Sequence, residues 1–462
     1  MMKLNLMCRQ MIATCFIMSL MASPHEAIAQ DTLKLDLQNV LDIASSENPT
    51  LKVADKEVQK KKYARKGAYA ALFPHVDFSM NYSRTLKKQV MYMDMDLGDS
   101  DEALPPGMDA SMMDEGFEVG RSNNWNTGFN LAMPLLNASL WKSLSITATD
   151  VELAVEKSRS SKLALYNEVK KGFYSVLLAN DSYHVFKCSY DNALENYQDI
   201  KNKFDQGLVA EYDLIRADVM VKNTEPSMLQ AENAYVLALW RLKALMGIDL
   251  ETPVVCIGQL TDYQESLFPD YMASDTALTA NTDLKQMGLQ AVQLKKSLQM
   301  KKFDYLPTLS LTGMYQWNAM NNDFKFKNYR WNPYSVIGLS LTVPITSGGS
   351  KYYNIRQNKL ALEQLVLQKD DVRRNLQLAV KQYMDHMKTC VKRFDAAQKG
   401  VKQAERGYLI ARKRYDTGAG TLLEVNDAEL ALTQARLNFN QSIYDYMVAK
   451  ADLEKVLGKG VN

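Results

Sequence analysis

Residues 76–83 read Val-Asp-Phe-Ser-Met-Asn-Tyr-Ser, an unbroken alternation in which Val76, Phe78, Met80 and Tyr82 are apolar and Asp77, Ser79, Asn81 and Ser83 polar. A period of two puts the first set on one side of an extended chain and the second on the other. The pattern returns three times. Thr127, Phe129, Leu131 and Met133 alternate with Asn126, Gly128, Asn130 and Ala132; Leu309, Leu311, Tyr315 and Trp317 face away from Thr308, Ser310, Thr312 and Gln316; Ile337, Leu339, Leu341 and Val343 oppose Gly338, Ser340 and Thr342. Four strands are therefore predicted, at about 74–85, 125–134, 307–317 and 335–344. One apolar and one polar face suits a half-buried strand, and equally a strand between lipid and a wet lumen.

The strands belong to an internal duplication. Asn48, Leu51 and Pro74 reappear as Asn281, Leu284 and Pro307, each 233 residues on, while Gly128 and Pro134 match Gly338 and Pro344 at 210. Asp205, Gly207 and Gly247 match Asp416, Gly418 and Gly458 at 211. One insertion of about 22 residues in the first copy accounts for the change of offset. The expected organisation is a signal peptide at 1–29, a first repeat at 30–250 with a helical hairpin over about 140–247, a linker at 251–272, and a second repeat at 273–462 with its hairpin over about 351–458.

After each strand pair comes a heptad. Leu376, Val380, Tyr383, Met387, Cys390, Phe394, Ala397, Val401, Ala404, Tyr408, Ala411 and Tyr415 step by four and three. Leu165, Val169, Gly172, Val176, Ala179, Tyr183, Phe186, Tyr190, Ala193, Tyr197, Ile200 and Phe204 occupy the same positions 211 residues earlier. Such a period, held that long, asks for a left-handed supercoiled seam. No proline falls between about 140 and 206 or between 351 and 416, so at ~1.5 Å per residue each helix can reach ~100 Å, and a rod is expected.

Composition narrows what such an object can do. Lys+Arg 55 against Asp+Glu 53 leave a formal charge of +2, which gives no support to a nucleic-acid-binding surface. His25, His75, His184 and His386 include no pair at ligand spacing, and no Ser/His/Asp context appears, so no enzyme, resident metal or cofactor is expected. Lys3 and Arg9, the apolar run 11–22 and Ala27-Ile28-Ala29 have the order of a secretory signal peptide, the run being too short to span a bilayer. Cys15 sits inside that run, which continues beyond it, so lipid attachment there is not the expectation. Cys188, Cys256 and Cys390 are odd in number without CxxC spacing and read as unpaired structural thiols. The insertion, about 86–124, carries nine acids, six methionines and Pro105-Pro106-Gly107, and reads as a disordered loop rather than a metal site. Ser347-Gly348-Gly349-Ser350-Lys351 lacks the full phosphate-loop spacing and reads as a strand-to-helix turn.

Membranes admit strands only in closed barrels, the smallest having ~8 strands, so four per chain require several chains to share one. Three copies make twelve. The alternative is a soluble sheet capping a coiled coil, that is, a periplasmic scaffold without a pore.

The duplicated plan, the Asn48-Pro49 segment leading to strands, and the turn Phe204-Asp205-Gln206-Gly207-Leu208-Val209 with its echo Tyr415-Asp416-Thr417-Gly418-Ala419-Gly420 resemble the TolC family of outer-membrane efflux ducts. The likeness spans essentially the whole mature chain. It implies a mainly α fold with a four-strand β contribution per chain. It further implies a homotrimer whose β-barrel, set in the lipid of a Gram-negative outer membrane, continues into an α-helical periplasmic tunnel. Such a duct is passive and serves a tripartite efflux or type I export system, with a periplasmic adaptor and an inner-membrane transporter as partners.

Carried onto this chain, the resemblance marks Glu424 and Asp427 as the acidic ring of the periplasmic entrance. They lie three apart on one helical face, where threefold repetition concentrates like charge in a narrow mouth and attracts cations. Thr421 and Glu424 equally fit a capping box. Asp213 and Tyr415 match two of three family latch residues, but Gly420 stands where the third, an arginine, is expected. Arg216, Arg412 and Arg414 are candidate replacements, each also readable as a solvated helix charge. Gly207, Leu208, Gly418 and Ala419 correspond to the adaptor-docking turns, although a glycine here is also an ordinary helix C-cap.

Overall fold

Alternating and heptad-patterned segments become strands and helices in the order that the residues dictate. A computed structural model describes residues 33–92, 116–267 and 277–460; the expected signal peptide, Cys15, the centre of the insertion and part of the linker lie outside these residues. Strand β1 (Leu33–Leu35) leads to α1 (Leu37–Glu47) and α2 (Pro49–Ala70), then β2 (His75–Arg84), β3 (Gln89–Met91), β4 (Phe117–Val119), β5 (Asn123–Leu136) and the hairpin α3 (Ala138–Asp205) and α4 (Glu211–Met246). After β6 (Val254–Cys256), the order recurs as α5 (Thr282–Phe303), β7 (Thr308–Asn321), β8 (Asn332–Thr342), α6 (Ser350–Asp416) and α7 (Leu422–Leu457). The fold is mainly α with one four-stranded sheet.

Two compact units cut across the duplication. The first draws on the described residues within 1–49, 165–274 and 383–452. Here β1 pairs parallel with β6, Leu33 opposite Val254, and Asp36 caps α1 by accepting the Asn39 amide at 2.7 Å. Leu35, Val40, Ala44, Leu242, Met246 and Leu260 form its core. Buried Asn48 closes α1 and donates its Nδ2 to the Leu245 carbonyl at 2.7 Å, while Gly247, at φ 78°, lies against the Glu47–Asn48 backbone. Heptad positions Val169, Val176, Ala193 and Ile200 on α3, with Met387, Cys390, Phe394 and Tyr408 on α6, are buried. Period 3.5 is thus a packing seam in the folded chain.

The second unit draws on the described residues within 50–164, 275–382 and 453–462. Its sheet runs β2-β5-β7-β8, antiparallel throughout. The duplication repeats the helix pin: Asn281 caps α5 by accepting the Leu284 amide at 3.0 Å and donates to the Val456 carbonyl at 2.7 Å, beside Gly458 at φ 70°. At the strand-to-helix corner, Ser139 donates to the Asp304 carboxylate at 2.7 Å and Lys351 to the Asp304 carbonyl at 2.6 Å. Lys351 therefore braces a corner.

One expectation is corrected. The described ends of the insertion are not a structureless loop, because β3 and β4 pair antiparallel, Val90 opposite Glu118, with Lys88 and Glu118 3.0 Å apart. The β2–β5 ladder is extended by the Thr85 amide bonding to the Ser122 carbonyl at 2.8 Å, which brings the two flanks together. Once adjacent, Val90, Met91, Phe117 and Val119 favour a strand pair despite the acidic composition. Cys188, Cys256 and Cys390 are all unpaired.

Candidate membrane-facing sheet and entrance turns

Register decides which residues share a face of the sheet. Phe78 lies opposite Phe129, Phe129 opposite Tyr315, and Leu311 opposite Leu339, so the apolar sets of all four strands merge. The Phe78 and Phe129 rings are 5.2 Å apart and Tyr315 and Trp317 4.7 Å apart. Among the described residues this face is left largely uncovered: Phe78 is 61% and Ile337 75% exposed. Opposite it, Asn81, Asn126, Asn318 and Asn332 stand in one row across the four strands. Asn130 also donates to Ser79 at 3.1 Å and accepts from Gln316 at 3.3 Å. One face is fit for hydrocarbon and the other for water.

Aromatic residues flank the strands at both ends. The rings of Tyr82, Trp125, Phe324, Phe326 and Tyr329 touch in a continuous cluster, with centroids 4.6 Å apart for Tyr82–Trp125 and 5.4 Å for Trp125–Phe326. At the helix-facing ends, Phe73, Trp141, Tyr305, Tyr352 and Tyr353 are exposed. Tyr and Trp at such strand ends suit headgroup depth, and strands of 10 to 14 residues separate the two groups, where ~9 to 11 suffice to cross. Sequence reading missed these groups, because Phe324 and Phe326 lie in a loop where no period marks them. Among the described residues no helix is long and apolar enough to cross a membrane. Among the described residues strands β2 and β8 pair on one side only, leaving two open edges.

At the other candidate site, two glycine turns close the hairpins. Gly207 (φ 73°) donates to the Phe204 carbonyl at 2.8 Å and Leu208 to that of Lys203 at 2.9 Å, while Gly418 (φ 74°) and Ala419 repeat this on Tyr415 and Arg414 at 3.0 and 2.9 Å. Both are αL caps that satisfy the last carbonyls of α3 and α6. Gly207, Gly418 and Ala419 are exposed, as is Leu208. Tyr415 is half-buried beside Ile200, Ala217 and Leu422, with Lys203 5.4 Å from its ring. Burial raises the Tyr415 pKa, Lys203 opposes that, and the charge of nearby Asp213 adds to the rise.

Of the candidate arginines, Arg414 is the one that reaches across the turn. Its Nη1 lies 3.2 Å from the Glu424 carboxylate and its Nη2 donates to the Ala419 carbonyl at 3.1 Å. A Cβ at Gly420 would stand 3.0 Å from that of Arg414 and 3.2 Å from Glu424 Oε2, so the bare glycine leaves room for this crossing. Thr421 caps α7 by accepting the Glu424 amide at 3.3 Å, but the Glu424 carboxylate turns to Arg414, giving half of a capping box. Asp427 is exposed, and Arg412 is taken up by Glu195 at 2.9 Å. The Arg414–Glu424 pair had no periodicity to betray it.

A two-faced sheet with open edges, belted by aromatics and continued by duplicated helical hairpins, defines a subunit of an outer-membrane channel. The family model described as Outer membrane efflux protein matches residues 40–248 and 273–459, and the chain belongs to that family. It is similar to the outer membrane protein TolC of Vibrio cholerae, 22% identical over 358 residues that cover 74% of this chain and 80% of the relative. It is also similar to the alkaline protease secretion protein AprF of Pseudomonas aeruginosa, 23% identical over 438 residues, covering 93% and 86%. The CmeC outer membrane channel of Campylobacter jejuni shares its fold, with a TM-score of 0.70 at 21% identity over 91% of this chain and 85% of that one. The protein is an outer-membrane exit duct of a Gram-negative bacterium with its helices in the periplasm, and the relatives it matches are channel and secretion proteins rather than enzymes.

Proposed function

We propose that three copies share one twelve-stranded barrel, β8 of each pairing with β2 of the next, and that the hairpins assemble into a tunnel docked on a periplasmic adaptor and an inner-membrane transporter. The duct is passive, and its partners supply the energy. The observation that carries this reading is the sheet, whose apolar face is bare and whose two edges are unpaired. In hydrocarbon every such edge must find a partner. In the closed cylinder the asparagine row becomes three oblique arcs along the lumen, since barrel strands tilt.

The turns supply gate and dock. Glu424 and Asp427, repeated by threefold symmetry, form acidic rings at the entrance; Asp213, Tyr415 and Arg414 act in the latch; Gly207, Leu208, Gly418 and Ala419 meet the adaptor. Membrane fractionation tests the reading. A detergent-extracted oligomer that resists dissociation until heated, and that conducts in planar bilayers, is expected, whereas release by osmotic shock as a freely soluble species would point to a scaffold. Glu424→Ala with Asp427→Ala should weaken block of the current by divalent or trivalent cations; undiminished block in the double variant would reject the ring.

A further inference from the structure

Glu429 lies two turns into α7 and is 2% exposed. Neither of its carboxylate oxygens makes a hydrogen bond of full geometry among the described residues, the Asn192 amide being a nearby but imperfect donor. Val425 and Leu432, one turn to either side, are buried against Tyr408 and Ala411 of α6, and the same apolar cluster reaches Tyr415. From α6 the groups facing the carboxyl are the Tyr408 hydroxyl and the Arg412 guanidinium; from α3 it is the Asn192 amide, with Glu195 behind it on Arg412 and Tyr408. Arg412 is bonded to Glu195 at 2.9 Å, so a single cation stands against two carboxyl groups. A buried carboxylate without full pairing is costly, and its neutral acid much less so.

We infer that Glu429 is a proton-sensitive positioning residue for the entrance: protonated, it lets α3, α6 and α7 pack shut beneath the turn, and ionised, it loosens that seam. This rests on the proposal that the turn after α6 is the gate. Burial raises the pKa of Glu429, and Asn192 and Arg412 only partly offset the rise. The packed arrangement therefore holds the proton more tightly than one in which the carboxyl is wet. Acid stabilises the shut form, and that stabilisation is lost as pH climbs through the raised value.

The test uses the full-length oligomer, wild type and Glu429→Gln, which keeps volume and mimics the protonated acid. Between about pH 7.5 and pH 5 the wild-type closed-to-open ratio in planar bilayers should rise, by at most about tenfold per pH unit per subunit. Glu429→Gln should be mostly closed and flat across that range, its melting temperature should lose the wild-type gain in acid, and Glu429→Asp should restore a titration. A glutamine variant with the wild-type pH response, or a wild type that does not respond, would overturn the proposal. If melting follows pH through Glu429 while gating does not, the gate role is wrong and the duct stands. A wild type with no conductance at any pH would refute the duct, and this proposal with it.

Discussion

Gly458 and Gly207 both sit at positive φ, 70° and 73°, yet they are not equivalent. A Cβ on Gly458 runs into the Ala280 carbonyl, whereas nothing lies within 4 Å of one on Gly207. Gly207→Ala should therefore cost only the left-handed backbone, about 1 kcal/mol. Gly458→Ala adds a backbone collision and should cost about 1 to 3 kcal/mol more, read as a larger fall in the melting temperature of the oligomer. Equal shifts would show that the Asn281–Gly458 junction gives way freely. Gly420 illustrates the opposite use of a bare Cα: it vacates space, and Arg414 crosses the turn to Glu424. Both groups are about half exposed, so the pair contributes at most ~1 kcal/mol to stability, and on the proposed gate reading its weight lies in the charge it takes from the acidic ring. Arg414→Ala should leave the melting temperature nearly unchanged and deepen cation block; a large melting shift with unaltered block would reverse that assignment.

At the scale of elements, the alternation of residues 76–83 was enough to find a strand and its two faces, and the register then joined four such strands into two continuous surfaces. Phe78→Arg places a charge on the apolar surface at a cost of ~2 to 4 kcal/mol near a bilayer midplane, and should lower the amount of assembled protein in the outer membrane. Ser79→Asp, one residue on, faces the polar side; assembly should persist while ion selectivity moves towards cations. If both variants assemble equally well, the face assignment fails. The heptads were as legible as the strands, since none of the twelve positions on α3 or α6 is exposed. The β3–β4 pair was not, because its residues lie in an acid-rich insertion and it forms only where the β2–β5 ladder has already aligned its two flanks.

For the whole molecule, one chain presents a sheet that cannot be stable alone in either solvent. Its apolar face rejects water and its open edges reject lipid. Assembly and β-structure should therefore fail together: on heating, dissociation of the oligomer and loss of the β signal in circular dichroism are expected in one transition, and a dissociated subunit that keeps its sheet would contradict the shared barrel.

Periodicity and self-similarity, properties of neighbouring residues, sufficed to establish the duplicated plan, the four two-faced strands, the long seams and the glycine turns. Folding alone decided that Arg414 crosses its turn to Glu424, that Tyr82 and Trp125 of the sheet meet the rings of the β7–β8 connection, and that Glu429 is sealed between three helices. None of these follows a regular spacing along the chain, and no periodicity encodes a distance that only the packed backbone creates.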